Sequence, residues 1–322
     1  MYEQFFGLGF SPFQLMPDPR FYFSSTGHSR ALAHLTYGLA QGDGFIVITG
    51  DVGTGKTTLI DHLLTQLDPT GYVAARIVTS QLSPNGLLRM ILNAFNIRCG
   101  AGDKAGMLHQ FEEFCRQTRS AGVRVLLIID EVQNLPFATL EELRMLSNFP
   151  GSGAPLQTCL IGQPQFLEVI RSSRARQLRQ RICTSYHLGV LEESEVGAYV
   201  QHRLRIASWS GDPSFDEDVF SAISTYTNGV PRRINLLCSR LLLRSYLNET
   251  HRICRADVCE VAEEWLSEPS TSYADDPPVG VAGKRGQEIT QRLNVVERTL
   301  ARQENALNQV LADLQRYAHV RQ

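Results

Sequence analysis

The stretch from Gly50 to Thr57 constrains this chain more than any other part of its sequence. It reads Gly-Asp-Val-Gly-Thr-Gly-Lys-Thr, fits the pattern G-x-x-x-x-G-K-[ST], and lies between the apolar run 45–49 and a helical pattern at 56–67. Glycines let the backbone wrap closely around an anion, and the start of a helix attracts negative charge. We therefore expect a phosphate-binding loop formed by Gly50, Asp51, Val52, Gly53, Thr54, Gly55, Lys56, Thr57 and Thr58.

Two adjacent acidic residues end the apolar run Val125-Leu-Leu-Ile-Ile, downstream of this loop. Asp130 and Thr57 would hold a magnesium ion, Glu131 would polarise the water that attacks a phosphate, and Lys56 would neutralise phosphate charge. Taken alone, a strand ending in two acids is equally typical of a solvated strand end, but its place after the loop favours catalysis. The sequence thus predicts binding of ATP with Mg²⁺ and its hydrolysis to ADP and phosphate.

Apolar runs of strand length alternate with helical patterns over the first part of the chain. The runs lie at 45–49, 73–79, 123–129, 156–161 and 183–190. The helical patterns lie at 56–67, 84–95, 104–119 and 138–148. This alternation is typical of a parallel sheet covered on both faces. With the phosphate-binding loop, it predicts an α/β fold of the P-loop NTPase kind.

Beyond position 191 the strand patterns stop and helical patterns follow, which predicts a small helical lid after the sheet. Residues 267–287 are rich in Ser, Pro, Gly and Asp, a composition typical of a flexible linker. The expected organisation is an N-terminal strap at 1–44, the core at 45–190, the lid at 191–266, the linker at 267–287 and a tail at 288–322.

Apolar residues in the tail repeat at alternating steps of four and three, the heptad pattern of a coiled coil. They are Ile289, Leu293, Val296, Leu300, Leu307, Val310, Leu314 and Tyr317, with Gln303 in the same register. The tail would pair with itself or with a partner protein. The alternative is one amphipathic helix folded back onto the core.

Composition narrows the class of protein. The formal net charge is −2, from 31 Lys and Arg against 33 Asp and Glu, so no overall basic field favours a nucleic-acid partner. No apolar run approaches the ~20 residues of a membrane helix, and the start of the chain lacks the pattern of a signal peptide. Seven cysteines without a CxxC pair fit a reducing compartment. We expect a cytoplasmic protein with no transmembrane segment.

Several motifs together resemble one known family. They are Phe-x-x-x-Pro-Asp-Pro-x-Phe-Tyr near the start, the glycine loop, Ile-Ile-Asp-Glu-Val-Gln-Asn-Leu, Glu-Glu-Leu-Arg-Met-Leu-Ser-Asn-Phe, Leu-Ile-Gly-Gln-Pro and Gly-Val-Pro-Arg-Arg-Ile-Asn. Over residues 1 to 266 the chain resembles the AAA+ ATPases of the general secretion pathway protein A family. It most resembles the branch associated with exosortase and PEP-CTERM exopolysaccharide loci.

The resemblance implies roles for three further residues. Gln163 occupies the sensor position at the end of a strand, although Asn, Thr or Ser is more usual there and the residue could simply start a helix. Arg181, with Arg179 second, matches the arginine finger that reaches a neighbouring subunit's nucleotide. A solvated basic helix face or a local nucleic-acid patch is the alternative. Arg232, rather than Arg233, matches the lid arginine that reports on the γ-phosphate.

The resemblance also implies partners and a cellular role. A finger acting in trans implies a homo-oligomer, and the family implies an ATPase that powers or regulates envelope or exopolysaccharide export. The chain departs from secretion-type members, which carry a membrane helix and a peptidoglycan-binding region after the ATPase. We therefore expect contact with an envelope or export protein through the coiled coil, either in the cytoplasm or peripheral to the inner membrane.

Two other functions remain open from the sequence. One is a DNA-associated ATPase like the transposition regulators, which the slightly acidic charge does not favour. The other is a nucleotide-switched scaffold with little turnover, which Glu131 argues against. The apolar, proline-rich stretch 10–22 of the N-terminal strap is expected to wrap the sheet edge, either packing its aromatic residues there or contributing to an adenine pocket.

Overall fold

Five strands form a parallel sheet at the centre of the protein, in a computed structural model that describes residues 1–79, 82–98, 103–147 and 156–267. They are β1 (Phe45–Thr49), β2 (Tyr72–Val78), β3 (Arg124–Asp130), β4 (Gln157–Gly162) and β5 (Ile182–His187). The spatial order is β2-β3-β4-β1-β5, and every neighbouring pair is parallel. The strands that carry the loop and the two acids are therefore separated by β4.

Helices cover both faces of this sheet. Those before and within the core are α1 (Tyr2–Phe5), α2 (Thr26–Gln41), α3 (Lys56–Gln66), α4 (Pro84–Ala94), α5 (Lys104–Ser120), α6 (Phe137–Leu146), α7 (Gln165–Arg171) and α8 (Arg176–Arg179). Buried residues of α4, α5 and α6 form one core with the sheet, and those of α2 and α3 form another. The predicted α/β architecture is confirmed, because strands buried on both faces need helices on both sides.

Local capping explains where two core helices begin. The Ser83 side chain accepts a hydrogen bond from the backbone N–H of Gly86, and Pro84 occupies the first helical turn of α4. The Asp103 side chain accepts from the backbone N–H of Gly106 at the start of α5. Such oxygens satisfy N–H groups that a helix start leaves without partners.

A separate apolar core lies in the region predicted as the lid. It contains α9 (Glu193–Ile206), α10 (Val219–Thr227), α11 (Pro231–Leu247) and α12 (Arg255–Ser267). This region also holds a parallel pair of two-residue strands, β6 (Ser214–Phe215) and β7 (Arg252–Ile253). The expectation that strands stop at position 191 is therefore wrong. Strands of two residues show no repeating pattern, so a periodicity argument cannot find them.

The N-terminal residues pack elsewhere than expected. Phe13 is buried and Phe10 is partly buried in the core of α9–α12, beside Phe6 and Leu8, so the expectation that the stretch 10–22 wraps the sheet edge is wrong for Phe10 and Phe13. The strap predicted at 1–44 also contains a helix of 16 residues, α2, which the sequence patterns did not predict. Apolar side chains are stabilised by burial against any apolar surface of matching shape, and the local sequence pattern does not specify which surface that is.

The predicted linker, apart from Ser267, and the predicted coiled coil at 288–322 lie outside the described residues. Among the described helices, none combines the length and apolar content that crossing a membrane requires.

Candidate active site

The glycine loop joins β1 to α3 at the carboxyl edge of the sheet. Gly53 and Gly55 have φ angles of +84° and +95°, in the left-handed region that favours glycine. A Cβ at Gly53 would lie 2.6 Å from the Cβ of Arg232, so the close approach also requires a glycine there. The loop leads directly into the first turn of α3, where free backbone N–H groups and the helix dipole favour a bound phosphate.

Lys56 lies buried inside this loop. Its Nζ donates to the carbonyl oxygens of Gly50 at 2.6 Å and Asp51 at 2.8 Å. Burial lowers the pKa of the ammonium, while the nearby carboxylates of Glu131, Asp130 and Asp51 oppose that shift. The lysine is thus held with its charge at the place where the loop would receive an anion.

Asp130 and Thr57 bring oxygen ligands together beside the loop. Thr57 Oγ1 donates to Asp130 Oδ2 at 3.4 Å, and the backbone N–H of Glu131 donates to Asp130 Oδ1 at 3.0 Å. A hydroxyl beside a carboxylate suits Mg²⁺, which prefers oxygen ligands and commonly takes few of them from the protein. The side chains predicted to hold the metal therefore fit it chemically.

Glu131 has a left-handed backbone, with φ +57° and ψ +39°, at the point where β3 ends. Its Oε2 accepts hydrogen bonds from the side-chain amides of Gln133, at 2.5 Å, and Gln163, at 3.4 Å. Gln133 Oε1 in turn accepts from the backbone N–H of Gln163 at 3.0 Å. The structure thus brings the predicted catalytic carboxylate and the predicted sensor together.

Gln133 is a residue of this site that sequence reasoning missed. It lies two residues after Glu131, where a continued strand would point both side chains the same way. The left-handed turn at Glu131 and the 3₁₀ turn Val132–Asn134 instead bend the chain back toward β4. A polar residue shortly after the acid pair was the available signal, and only the turn geometry gives it meaning.

Arg232 lies at the start of α11, close above the glycine loop. Its backbone N–H donates to the carbonyl oxygen of Gly53 at 3.1 Å. Arg232 also lines the cavity beside the loop. Arg233 is half-buried at the next position of α11. The structure therefore places Arg232, the predicted lid arginine, at the same site as Lys56.

Arg181 and Arg179 lie elsewhere in the chain. Arg181 precedes β5, so it lies at the amino edge of the sheet, opposite the glycine loop. Its Nη1 donates to the carbonyl oxygen of Ser147 at 2.7 Å and to the Ser147 hydroxyl at 2.8 Å. Arg179 is exposed, and its Nη1 donates to the carbonyl oxygens of Ile170 and Arg171, both at 3.1 Å. Within one chain, neither arginine joins the site.

A cavity of about 210 Å³ adjoins the loop, and residues from several parts of the chain line it. They include Met16 and Tyr22 near the N-terminus, Lys56 and Thr57 of the loop, and Tyr199 of α9. The N-terminal segment thus forms one wall of the cavity, as the adenine-pocket alternative for the strap requires.

Arg203 holds that wall in place, and sequence reasoning missed it. Its Nε donates to the Pro12 carbonyl oxygen at 2.7 Å, and its Nη2 donates to the Gln14 carbonyl oxygen at 3.0 Å. The buried guanidinium also lies 4.3 Å from the centre of the Phe21 ring, within the range of a cation–π contact. A single arginine of α9 therefore ties the N-terminal wall to the helical core.

His28 supports the glycine loop from behind. Its Nδ1 lies 2.7 Å from Ser25 Oγ, and a Cβ at Gly55 would lie 2.8 Å from its Nε2. Burial lowers the pKa of the imidazole from 6.5 to about 4, although Glu195 and a hydrogen bond with the Thr54 backbone oppose the shift. The ring is therefore neutral at physiological pH.

We expect His28 to make stability depend on pH. Between pH 6.5 and 4 His28 is protonated in the unfolded chain but not in the folded chain. The free energy of unfolding is therefore highest above pH 6.5 and decreases as the pH falls from 6.5 to 4. From pH 7.5 to 5 the intact protein should lose about 2 kcal/mol more unfolding free energy than His28→Gln. Denaturant unfolding at both pH values measures this difference, and equal losses would contradict it.

Comparison with known proteins identifies the part of the chain that contains this site. Residues 39–170 match the family model of an AAA domain. The chain is similar to an AAA domain over these residues. Over 269 residues it is also 39% identical to the general secretion pathway protein A of Aeromonas hydrophila, covering 82% of this chain and 48% of that protein. The chain thus spans about half the length of this curated relative.

Solved structures agree on the fold. Cdc6p from Pyrobaculum aerophilum matches with a TM-score of 0.59 and 16% identity, covering 79% of this chain and 73% of that one. The Aeropyrum pernix ORC2 protein, in ADPNP-ADP complexes, matches with a TM-score of 0.56 and 15% identity, covering 74% and 66%. The RuvB branch migration motor of Thermotoga maritima matches with a TM-score of 0.51 and 18% identity, covering 74% and 68%. Identities this low establish the P-loop NTPase fold alone.

Proposed function

We propose that this protein binds ATP with Mg²⁺ and hydrolyses it to ADP and phosphate. The observation that carries the proposal is the position of Glu131. Its carboxylate lines the same cavity as Lys56 and Thr57, and two glutamine amides hold it there. An oriented carboxylate beside a phosphate cradle is what activation of a water molecule requires.

Each part of the site has a separate task in this proposal. The loop N–H groups and Lys56 would bind the phosphates, and Thr57 and Asp130 would hold the magnesium ion, which would neutralise phosphate charge. Glu131 accepts a proton from the attacking water, and Gln163 holds Glu131 in position. Arg232 contributes positive charge from α11, so phosphate binding would draw that helix toward the loop.

We further propose that the protein works as a homo-oligomer in which Arg181 completes the site of a neighbouring chain. Its place on the opposite edge of the sheet from the glycine loop supports action in trans, because it cannot serve the loop of its own chain. An arginine supplied in this way stabilises charge that develops on the transferred phosphoryl group.

We place the cellular role in envelope export, with exopolysaccharide as the exported class. The support is the similarity to a general secretion pathway protein and the motif resemblance to the exosortase-associated branch. The tail at 288–322 would connect the ATPase to a partner of that apparatus, and the protein would act in the cytoplasm or peripheral to the inner membrane.

Nucleotide binding by Lys56→Ala tests the proposal. Removing the ammonium should weaken ATP binding by about 10- to 100-fold, because a charge-assisted hydrogen bond to phosphate is lost. Calorimetric titration with a non-hydrolysable ATP analogue and Mg²⁺ measures the affinity, and phosphate release measures turnover. Lys104→Ala, which removes a partly exposed lysine paired with Glu142, serves as the matched control.

Three outcomes have distinct meanings. Weak binding by Lys56→Ala alone, together with turnover by the intact chain, supports the proposal. Equal affinity for the intact chain and both variants would overturn the assignment of the phosphate loop. Tight binding without turnover in concentrated protein would favour a nucleotide-switched scaffold.

A further inference from the structure

Arg76 lies in the candidate active site, although no motif points to it. It belongs to β2, which pairs with β3 so that Val78 lies opposite Asp130. Its Nη2 donates to Asp130 Oδ2 at 2.6 Å, and its Nη1 donates to Asp61 Oδ1 of α3 at 2.7 Å. One guanidinium therefore bridges two carboxylates, one of which is the proposed magnesium ligand.

The burial of these groups makes the bridge more than a surface ion pair. The Asp130 side chain is 5% exposed, and the Arg76 side chain is 24% exposed. A carboxylate so deeply buried needs a compensating charge, because desolvation of an isolated ion is costly. Arg76 supplies that charge at the oxygen that also accepts the hydrogen bond from Thr57.

Only two of the three guanidinium nitrogens of Arg76 donate hydrogen bonds to the two acids. Its Nε is buried and has no hydrogen-bond partner among the described residues. Leaving a buried donor unpaired costs free energy, so the conformation must be stabilised by the contacts of the other two nitrogens. Those contacts are the bridge to Asp61 and Asp130.

The charges around the site show what the bridge achieves. Without Arg76, the carboxylates of Asp61 and Asp130 would lose the guanidinium that bridges them, which would make the charge beside the loop more negative. A cluster of that sign would attract a divalent cation by itself. With Arg76 in place, a positive charge already contacts one oxygen of Asp130, the carboxylate proposed to hold the metal.

We propose that Arg76 is a resident cation of the site, which keeps Asp130 from binding Mg²⁺ alone and makes metal uptake depend on nucleotide. The triphosphate brings the additional negative charge that the metal needs, and Arg76 then remains bound to Asp61 while it positions Asp130. Arg76 is thus a positioning residue. This inference rests on the proposed function of the site as a binding site for ATP with Mg²⁺.

The test is a titration of nucleotide-free protein with Mn²⁺, in which electron paramagnetic resonance measures the concentration of free ion. Arg76→Met should bind Mn²⁺ at least about tenfold more tightly than the intact chain, because a unit positive charge in contact with Asp130 has been removed. Arg76→Lys keeps the charge and should stay close to the intact chain. The double variant Arg76→Met with Asp61→Asn should return toward the weak binding of the intact chain.

Arg124→Met is the matched control, since Arg124 also lies on a sheet strand but at the opposite end of β3, where it donates to the Leu39 carbonyl oxygen. It should leave Mn²⁺ binding unchanged. A purely structural role for Arg76 would lower the melting temperature of Arg76→Met without increasing Mn²⁺ affinity, and that result would overturn the proposal. Equal Mn²⁺ affinity in Arg76→Lys and Arg76→Met would overturn it too.

Failure of this inference is distinguishable from failure of the proposed function. If the intact chain binds the ATP analogue with Mg²⁺ but Arg76→Met gains no Mn²⁺ affinity, only the role of Arg76 is wrong. If the intact chain binds no analogue at any Mg²⁺ concentration, the proposed function is wrong, whatever Mn²⁺ affinity the variants show.

Discussion

Glu131→Gln is expected to bind ATP as tightly as the intact chain and to hydrolyse it at least about 100-fold more slowly. The substitution keeps the size and hydrogen-bonding reach of the side chain but removes its ability to accept a proton from water. Lys56, Thr57 and Asp130 are unchanged, so phosphate and metal binding should persist. Phosphate release under saturating ATP, together with calorimetric titration, measures the two properties separately.

Glu168→Gln, an exposed change on α7, is the control and should leave turnover unchanged. Turnover by Glu131→Gln within a few-fold of the intact rate would show that another group activates the water. Loss of nucleotide binding in Glu131→Gln would point instead to a structural role in the left-handed turn at the end of β3.

Arg181→Ala is expected to lower turnover by about 1,000-fold while leaving nucleotide affinity unchanged, because a finger supplied in trans acts on the transition state. Turnover per chain in the intact protein should rise with protein concentration, since the site is complete only in the assembly. Arg179→Ala serves as the neighbouring control and should have the smaller effect. Melting temperature must be measured too, because Arg181 also contacts Ser147 of its own chain.

Mixed assemblies test whether Arg181 acts in trans. Chains carrying Lys56→Ala bind nucleotide weakly but keep Arg181, and chains carrying Arg181→Ala keep the glycine loop. Mixing the two inactive variants should restore measurable turnover, because one chain supplies the arginine that the other lacks. No recovery on mixing, together with turnover that is independent of concentration, would show that the finger assignment is wrong.

Much of the fold follows from local sequence patterns. Four of the five strands of the central sheet and the helices α3 to α6 lie within one or two residues of their predicted bounds, while β5 ends at His187, three residues before its predicted end. Each of the signals involves only a few neighbouring residues. They are the alternation of apolar runs with helical patterns, Pro84 and Asp103 at helix starts, and the glycines of the loop. Such signals can be read without knowing the tertiary structure.

Other features depend on which surfaces meet. The burial of Phe6, Leu8 and Phe13 among α9–α12 requires a complementary apolar face that no local pattern specifies. The hydrogen bond of Gln133 to Glu131 depends on a left-handed turn at a residue other than glycine or asparagine. Such a backbone conformation is uncommon for Glu and is not expected from the residue type.

The residues that we propose to bind phosphate and magnesium follow from the sequence alone, because the spacing from Gly50 to Thr57 and the Asp130-Glu131 pair can be read without the fold. The electrostatic environment of those residues was decided only by tertiary structure. Arg76 reaches Asp130 because β2 pairs with β3, and Arg203 holds the N-terminal wall because α9 packs against it. Contacts between residues 54 and 191 positions apart in the chain are long-range, and long-range contacts form only when the whole fold is in place.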